Sequence, residues 1–366
     1  MTKRARKKSL RHKNINSKKT AYTYQKIHKR MQLFFESFTI AELIVAIVIV
    51  GILAMITYVT YSGIQSRAIV ASIKSELSDI SKQLNIFQTI NGAYPSTLDC
   101  DQPESSSNIC LKSLRDESQY EYFTRNDSKQ IFCITSIKND LRYNINHDGD
   151  VLAGPCPITD LSANNSISYN GIGNTWYDVS GNKNDSQVKG PAYSVENGGV
   201  LVFDGVDDYA VSGYIEGVSS NQITVAAWIR PGSTNGVYEI SNQGGWVTGP
   251  WVGWRFRQIG RELNFSLSDE SGNTYDCSGG SLSSGSWQYV VGLWDGEYII
   301  LFVNGREVSK CQGLLNYSGS GGKHSIGKYD GSSYFFNGMI GGVSIYDKAL
   351  TPAEIFENFN ITKVTY

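Results

Sequence analysis

The sequence predicts a multidomain chain: a long N-terminal transmembrane α-helix, a small α+β domain, and an all-β sandwich. Three observations support this prediction. Residues 38–58 form an apolar run with a single charged residue, and apolar residues continue at helical spacing as far as residue 90. The region 175–366 consists of short alternating runs separated by glycine-containing turns, which is typical of the strands of a sandwich.

The apolar run from Phe38 to Tyr58 is long enough to cross a membrane. As a helix that rises about 1.5 Å per residue, it reaches about 31 Å, which matches the hydrocarbon core of a bilayer. Its single charged residue is Glu42. A carboxylate within that core costs about 2.5 to 3.5 kcal/mol, so Glu42 requires a partner.

Residues 1–37 form a basic leader that we expect to stay in the cytoplasm. The chain has 33 basic and 34 acidic residues, and twelve of the former but only Glu36 of the latter precede residue 38. The positive-inside rule then places the rest of the chain outside. A nucleic-acid-binding arm is the alternative, but a position directly ahead of a spanning segment favours topology. Without the leader, 21 basic and 33 acidic residues remain, so the outer part is acidic and no nucleic-acid partner is expected.

The start of the apolar run resembles the class III signal of type IV pilins and pseudopilins. The residues that carry the resemblance are Ser37-Phe38-Thr39-Ile40-Ala41-Glu42-Leu43, Gly51-Ile52-Leu53-Ala54, Tyr61, Arg67 and Gly92-Ala93-Tyr94-Pro95. The resemblance implies that prepilin peptidase cuts between Ser37 and Phe38 and that the new amino terminus is methylated. It also implies that Glu42 neutralises the terminal amine of a neighbouring pilin subunit, which gives the buried charge its partner.

Two positions depart from the pilin pattern. Ser37 stands where the family prefers Gly before the cut, and Val59 stands where many pilins have a helix-kinking Pro, so the helix is expected to run straighter. A single-pass signal anchor that is never cut is the alternative. It explains the hydropathy of the run but not the position of Glu42.

The resemblance assigns residues 38–157 to a pilin-like α+β domain with a transmembrane helix at 38–58. The helix is predicted to continue to about residue 90, because apolar residues from Ile69 to Phe87 recur at steps of three and four. Asn91-Gly92 then supplies the helix end.

Two short strands are predicted after this helix. Ile131–Ile137 and Leu141–Ile145 have the required composition, and Asn139-Asp140 forms a turn between them. Asp148-Gly149-Asp150 is interpreted as an acidic turn, because too few oxygen ligands cluster there to fill a calcium shell.

All six cysteines follow the spanning segment, where an oxidising exterior favours disulfides. The pairs that we expect are Cys100 with Cys110, Cys133 with Cys156, and Cys277 with Cys311. The four cysteines of the pilin-like region permit three connectivities, and the sequence alone does not choose among them. Metal binding is the weaker interpretation, because no C-x-x-C pair exists and the four histidines are scattered.

Composition changes after Cys156. Residues 158–174 are rich in Ser, Asn and Gly and are predicted to form a linker into a second domain at 175–366. The predicted strands of that domain are Gly199–Phe203, Tyr209–Val211, Ile223–Ile229, Trp254–Phe256, Leu263–Leu267, Trp287–Trp294, Tyr298–Val303 and Met339–Tyr346.

The turns between these strands resemble those of the laminin G-like, concanavalin A-like jelly roll. The motifs that carry the resemblance are Asp178-Val179-Ser180-Gly181-Asn182, Phe203-Asp204-Gly205-Val206-Asp207-Asp208-Tyr209, Phe302-Val303-Asn304-Gly305, Phe336-Asn337-Gly338 and residues 345–355. Asn304-Gly305 suits a two-residue hairpin turn, and Thr351-Pro352 suits the start of a closing helix. The predicted fold of residues 175–366 is therefore an all-β jelly-roll sandwich.

The resemblance implies a domain that binds glycans or proteins, often with calcium. The carboxylates that we name as candidate calcium ligands are Asp178, Asp204, Asp207 and Asp208. Turn-stabilising aspartates are the alternative, because the acidic residue that the family often has ahead of its last strand is absent from Ile340-Gly341-Gly342-Val343.

Aromatic side chains in glycine-rich loops are the candidate glycan contacts. Trp246 and Trp251 lie in one such loop, and Tyr334 and Phe335 lie in another. The four tryptophans inside strand-like runs are expected to pack in the core: Trp228, Trp254, Trp287 and Trp294.

A glucanase is the catalytic alternative for this fold. Such enzymes carry a Glu-x-Asp-x-x-Glu strand, and no such spacing occurs here. A Gly-x-Ser-x-Gly string is absent as well, and the glycine-rich loops lack the paired Lys and Ser/Thr of a phosphate loop. We therefore expect no enzymatic activity.

Together these patterns predict a minor pilin or pilin-like surface subunit. It would assemble through its N-terminal helix and display a laminin G-like head for adhesion to an extracellular glycan or protein, at a bacterial cell surface or pilus. A head of this size would crowd a densely packed shaft, which favours a minor or tip position. The alternatives are an unassembled, membrane-anchored surface lectin and a secretion-system pseudopilin that engages exported substrates.

Overall fold

The computed structural model describes residues 39–111, 119–216, 221–246, 250–314, 322–329 and 333–366. The leader 1–37 and the predicted cleavage site at Ser37 and Phe38 lie outside the described residues. The chain divides into two compact units, residues 1–69 and residues 70–366. Each unit is described by itself.

A single helix, α1 (Ile40–Asn91), begins within the predicted membrane span. It starts with a capping box, in which the Thr39 backbone N–H donates to Glu42 Oε2 at 2.9 Å and the Glu42 N–H donates to Thr39 Oγ1 at 3.2 Å. The segment Ile40–Tyr58 is long and apolar enough to cross a membrane, and none of it is buried within the chain. This segment is consistent with a single-pass anchor.

The second half of α1 packs against a four-stranded antiparallel sheet. Ile73, Leu77, Ile80, Leu84 and Phe87 are buried, so the predicted helical stripe is confirmed. The strands are β1 (Gln119–Asn126), β2 (Gln130–Lys138), β3 (Leu141–Asn146) and β4 (Val151–Ala153), paired in that order. Residues 70–157 are called the α+β part below.

Two contacts place this sheet on the helix. The Tyr120 hydroxyl donates to Glu76, and the Lys74 ammonium lies 5.2 Å from the centroid of the Tyr143 ring. The predicted turn at Asn139-Asp140 is present, with φ angles of 50° and 63° that suit a two-residue hairpin.

In the part of the sandwich that the structure describes, there are sixteen strands, and a helix follows them. They are β5 (Thr159–Ser162), β6 (Thr175–Trp176), β7 (Ser186–Lys189), β8 (Ala192–Ser194), β9 (Val200–Asp204), β10 (Tyr209–Val211), β11 (Ile223–Pro231), β12 (Val237–Trp246), β13 (Trp251–Ile259), β14 (Glu262–Ser268), β15 (Thr274–Gly279), β16 (Gln288–Trp294), β17 (Tyr298–Val303), β18 (Arg306–Gln312), β19 (His324–Ile326), β20 (Asn337–Tyr346) and α2 (Pro352–Thr362).

The strands form two antiparallel sheets. The first sheet has the order β15-β14-β13-β12-β19-β10-β7-β6. The second has the order β18-β17-β16-β11-β20-β9-β8, and β5 also pairs with β20. Hairpin neighbours alternate with pairs that are distant in sequence, such as β12-β19 and β11-β20, which is typical of a jelly roll, and the predicted all-β sandwich is confirmed.

The segment 158–174 is not a linker, and this prediction was wrong. Strand β5 pairs with β20 from Thr159 to Ser162, and the Ala163 N–H donates to the Gly341 carbonyl at 2.8 Å. Leu161 and Ala163 are fully buried in the sandwich core. The composition suggested a linker, but the isolated apolar residues give this segment its place in the second sheet.

The core lies between the sheets, and a second cluster covers the outer face of the second sheet. Trp176, Trp254 and Trp294 are fully buried in the core. Outside the second sheet, α2 packs through Ile355 against a cluster that includes Trp228 and Tyr289. The expected core positions of Trp254 and Trp294 are confirmed, whereas Trp228 is buried in the outer cluster and Trp287 is half-buried against it.

Three disulfides are present, and they are the pairs expected from the sequence. Cys100–Cys110 and Cys133–Cys156 lie in the α+β part and at its end. Cys277–Cys311 connects β15 with β18, the edge strands of the two different sheets.

The α+β part is tied to the sandwich by charged groups within the unit 70–366. The Arg125 side chain is only 5% exposed and donates to both carboxylate oxygens of Asp185, at 2.6 and 2.9 Å. Its Nε also donates to Asp127 at 2.8 Å. At a second point, Glu357 of α2 accepts from Lys74 at 2.6 Å and from the Tyr143 hydroxyl at 2.8 Å.

Replacing Arg125 tests the strength of this junction. The Arg125→Met substitution keeps the volume of the stem but leaves Asp185 without its bidentate partner. We expect the free energy of unfolding to fall by about 3 kcal/mol, because breaking a largely buried ion pair leaves an uncompensated charge. Urea unfolding followed by tryptophan fluorescence measures this change in the sandwich, where all 7 tryptophans of the chain lie.

The control is Lys82→Met, which breaks the ion pair with Asp79. Both side chains of that pair are more than half exposed, at 69% and 51%, so a loss of less than about 1 kcal/mol is expected. Equal effects of the two substitutions would contradict a stabilising role for Arg125.

Candidate functional site

Strand β13 presents different side chains to its two faces. Val252, Trp254 and Phe256 point into the sandwich core, whereas Arg255 and Arg257 lie at the alternate positions and are only partly buried. Strand β14 alternates in the same way. The outer face of the first sheet therefore carries aromatic, basic and hydroxyl side chains over a continuous core.

These outward side chains form a groove of about 360 Å³. We call it the aromatic groove, and the residues that define it are Trp246, Trp251, Arg255, Arg257, Ser266, Ser268, Thr274 and Tyr329. Trp246 and Trp251 are directly opposite each other in the β12–β13 pair. The ring centroids of Trp251 and Tyr329 are 6.2 Å apart, and those of Tyr329 and Tyr334 are also 6.2 Å apart.

Glycine makes room for one of these rings. A Cβ atom on Gly244 would collide with the indole of Trp251 and with the Val252 carbonyl. Glycine at this position therefore lets the Trp251 ring lie flat against β12. Of the glycine-rich stretch predicted as a loop, Gly244, Gly245 and Trp246 are in fact the end of β12 and Trp251 begins β13, while residues 247–249 lie outside the described residues.

A buried ion pair supports the groove from below. Glu239 is fully buried and accepts from Arg255 Nη2 at 2.7 Å and from its Nε at 3.2 Å. Burial raises the pKa of Glu239, and the hydrogen bond and charge of Arg255 act against that rise. The Arg255 guanidinium lies 3.9 Å from the Tyr329 ring centroid and 5.6 Å from that of Tyr334. Glu239 therefore fixes the position of the Arg255 guanidinium, which in turn contacts both tyrosine rings.

Tyr334 has a backbone conformation that is unusual for a bulky residue. Its φ angle is +62°, in the left-handed region, and its carbonyl accepts from the Glu239 N–H at 2.8 Å. The side chain is 45% exposed. A bond to β12 therefore holds an aromatic side chain at the surface at the expense of backbone strain.

The structure brings together three of the four predicted ligand contacts. Trp246 is 72% exposed and lies opposite Trp251 in the β12–β13 pair. The Tyr329 ring lies near both Trp251 and Tyr334 and so connects them. Phe335 is half-buried, precedes the core residue Phe336, and does not line the groove. Residues 333–336 precede β20, and the positive φ angle of Tyr334 accompanies the exposure of its ring, whereas Phe335 is half-buried beside Phe336.

Sequence reasoning missed Tyr329, Arg255 and Arg257. The two arginines alternate with Trp254 and Phe256, and that period of two could have identified them as an outward pair. Tyr329 precedes an Asp-Gly turn signal, but nothing in the sequence indicated that it bridges two aromatic segments.

The predicted calcium ligands separate into two groups. Asp204, Asp207 and Asp208 offer carboxylate oxygens that lie within 4.8 Å of one another. Asp178 is not among them. It is fully buried and accepts from the backbone N–H groups of Asp160, Ser180 and Asn184 at 2.8 to 2.9 Å, so its role is to stabilise a turn.

The three clustered aspartates also shape their own turn. Asp208 Oδ2 accepts from the Asp204 N–H at 2.8 Å, and Asp204 Oδ1 accepts from the Val206 N–H at 2.8 Å. Burial raises the pKa of Asp208, and the charges of Asp204 and Asp207 raise it further. An all-oxygen set suits a hard cation, but three carboxylates fill only part of a shell of about six to eight ligands, so water must supply the rest.

His324 is the nearest feature to a catalytic arrangement in the described residues. Its two ring nitrogens lie 3.2 Å from Ser212 Oγ and 2.9 Å from Ser241 Oγ, and the ring is fully buried. Burial lowers its pKa to about 3, so the ring is neutral at pH 7. Neither a carboxylate nor solvent reaches it, which identifies His324 as a satisfied core residue.

Comparison with known families supports the fold of the sandwich. Residues 204–356 match the family described as the concanavalin A-like lectin/glucanases superfamily. Together with the two-sheet topology, this match gives the sandwich a laminin G-like, concanavalin A-like lectin fold. Comparison with curated proteins gives no match.

Several solved structures are similar to this chain. The botulinum neurotoxin serotype G binding domain is 13% identical, with a TM-score of 0.46, and the match covers 56% of this chain and 51% of that chain. The serotype D ligand binding domain in complex with N-acetylneuraminic acid is 15% identical, with a TM-score of 0.45 and coverage of 56% and 50%. Domain 4 of an extracellular arabinanase from Geobacillus stearothermophilus, in complex with arabinotriose, is 19% identical, with a TM-score of 0.40 and coverage of 55% and 97%. This chain therefore spans about half the length of the toxin domains.

Calcium at the three-aspartate cluster stays a prediction, and thermal unfolding tests it. Calcium is expected to raise the unfolding temperature relative to a sample in EDTA, because a divalent cation offsets the repulsion that raises the pKa of Asp208. Asp207→Asn should remove the shift, whereas the control Asp101→Asn, at an exposed acid outside the sandwich, should keep it. The same shift in all three proteins would mean that the aspartates only stabilise the turn.

Proposed function

We propose that this protein is a pilin-like surface subunit that binds extracellular glycans through the aromatic groove of its sandwich. One observation carries the binding part of the proposal. Two aromatic segments that are far apart in sequence, around Trp246–Trp251 and Tyr329–Tyr334, meet on one outward face of the first sheet. Neither segment is needed to fill the core, which closes beneath them.

The composition of the groove suits sugars. Exposed aromatic faces stack against the C–H surfaces of sugar rings, and Trp246 offers such a face. The hydroxyls of Ser266, Ser268 and Thr274 line the same wall, and those of Ser268 and Thr274 also hydrogen-bond to each other at 2.7 Å. A volume of about 360 Å³ lies within the range of small-molecule sites, so a short oligosaccharide segment fits.

We propose binding without catalysis. Among the described residues that line the groove, none is Asp or Glu. Glycoside hydrolysis uses a pair of carboxyl groups that flank the scissile bond. Glu239 lies beneath the groove, but it is buried and engaged by Arg255.

The assembly part of the proposal rests on the N-terminal helix. Glu42 lies in the first turn of an apolar helix segment that is long enough to span a membrane. No other part of the chain that the structure describes buries this segment. A charge in that position calls for a partner from another molecule, and the amine of a neighbouring subunit cut before Phe38 supplies it. The proposed partners are therefore other pilin subunits and prepilin peptidase, and the sandwich faces the exterior.

Substitutions in the groove test glycan binding. Trp246→Ala and Tyr329→Ala are expected to reduce affinity for the glycans retained on a glycan array by about tenfold or more, because truncating a central aromatic contact costs about 2 kcal/mol or more. The measurement is array binding by the full chain, followed by titration of each positive glycan.

The control is Phe356→Ala, which removes an aromatic side chain that is 51% exposed on α2. It should bind as the unmodified protein does. Binding that survives both groove substitutions would exclude this groove as the glycan site. Cleavage of a retained glycan, detected as free product, would contradict the non-enzymatic proposal.

Processing and assembly are tested on protein recovered from native cells. Intact-mass analysis is expected to find a chain that begins at methylated Phe38. Glu42→Ala should still be processed but should be lost from isolated filaments, because its apolar helix no longer pairs with a neighbouring amine. A chain that keeps residues 1–37 would contradict assembly and leave an anchored surface lectin.

A further inference from the structure

A second cavity lies within the unit 70–366, where the α+β part meets the sandwich. Its volume is about 470 Å³, and we call it the junction cavity. Its walls come from the β3–β4 turn, from β5, from the second sheet around Tyr289 and Tyr346, and from the chain after α2 up to Tyr366. The aromatic groove uses none of these residues.

The lining of the junction cavity is acidic. Asp148, Asp150 and Asp160 contribute carboxyl groups, and none of the described lining residues is Lys, Arg or His. The nearby His147 places Nε2 3.4 Å from Asp148 Oδ1, but burial lowers its pKa, so it supplies no charge at neutral pH. The cavity therefore attracts positively charged groups.

Tyr289 carries a hydroxyl that the protein leaves unused. The residue is 6% exposed and lines the cavity, and its hydroxyl has no hydrogen-bond partner among the described residues. Its backbone N–H, in contrast, donates to Asn304 Oδ1 at 2.9 Å. Burial raises the pKa of Tyr289, so the hydroxyl keeps its proton and is a donor. A hydroxyl at a cavity wall that no protein group satisfies is available to water or to a ligand.

Asp160 carries a carboxyl group that is only half used. One oxygen accepts from Ser344 Oγ at 3.0 Å, and the other has no partner among the described residues. Burial raises the pKa of Asp160 to about 7, and the negative charges of Asp178 and Asp148 contribute to the rise. In contrast, Arg125 and Arg255 neutralise carboxylates elsewhere in the same unit. Among the described residues, no basic side chain pairs with Asp160 in this way.

We propose that the junction cavity binds a small organic cation, a protonated amine of up to about hexose size. The amine pairs with Asp160 and Asp148, and the rest of the ligand accepts from the Tyr289 hydroxyl and contacts the ring of Tyr366. Carboxylates with adjacent aromatic rings are the usual recognition elements for such cations. A cavity of about 470 Å³ has the volume of a small-molecule site.

Matched pairs of ligands test the charge requirement. Glucosamine and glucose have the same size, as do ethanolamine and ethylene glycol, and only the first of each pair is cationic. Isothermal titration of the full chain in detergent at neutral pH is expected to show binding of at least one amine. Its affinity should exceed that of its neutral counterpart by about tenfold or more, the factor that a charge-assisted hydrogen bond supplies.

Three variants locate the site. Asp160→Asn keeps an acceptor for Ser344 but removes the charge, and Tyr289→Phe removes only the hydroxyl. Both should weaken amine binding by about tenfold, and the milder Tyr289→Phe covers the case in which Asp160→Asn fails to fold. Trp246→Ala, in the aromatic groove, should leave amine binding unchanged.

Each other outcome overturns the proposal. Binding of neither amine at millimolar concentration would mean that water fills the cavity. Equal binding of an amine and its neutral counterpart, measured with Trp246→Ala so that the aromatic groove does not contribute, would mean that hydroxyl groups, rather than charge, are recognised. Amine binding that Tyr289→Phe leaves intact, or that Trp246→Ala removes, would place the amine outside the junction cavity.

Discussion

The sandwich depends on the burial of one face of each of its two large sheets. Strand β13 shows the consequence, because Trp254 and Phe256 fill the core while Arg255 and Arg257 occupy the outer face. Side chains alternate along a strand, so the register that fills the core also decides which groups form the aromatic groove. A slip of one residue would bury the arginines and expose the core. The geometry of the groove is therefore as well defined as the packing beneath it.

The same unit contains acidic side chains in buried or partly buried surroundings at three places, and only two of them have an arginine partner. Arg125 joins the α+β part to Asp185 of the sandwich, and Arg255 joins the outer face of the first sheet to the buried Glu239. In both cases the guanidinium also lies over tyrosine rings, so one cation fixes a carboxylate and an aromatic surface together. Asp160 has no such cation and instead faces a cavity. This contrast separates the groups that stabilise the fold from a group that is available to a ligand.

The sequence pattern predicted the helix, the α+β hairpin and short strands that are apolar throughout, such as β10 and β17. It did not predict β12. Glu239, Ser241 and Gln243 occupy buried positions on this strand, and their hydrogen-bond partners are brought to them only by the tertiary structure. Strand β5, within the segment 158–174, was missed because isolated apolar residues, Leu161 and Ala163, place this segment in the core. In the groove, exposed aromatics next to glycine identified Trp246, Trp251 and Tyr334, but the bridge through Tyr329 and Arg255 depends on contacts between distant segments that no local pattern encodes.

The Cys277–Cys311 disulfide has a mechanical consequence. It joins the edge strands of opposite sheets, and the strand β15 that carries Cys277 lies two positions from β13, where a ligand in the groove would pull. Hydrogen bonds along a sheet edge yield one after another when a force peels the strand away, whereas a covalent link yields only when it is reduced. The force that this edge of the sandwich withstands therefore depends on whether the surroundings keep the Cys277–Cys311 disulfide oxidised.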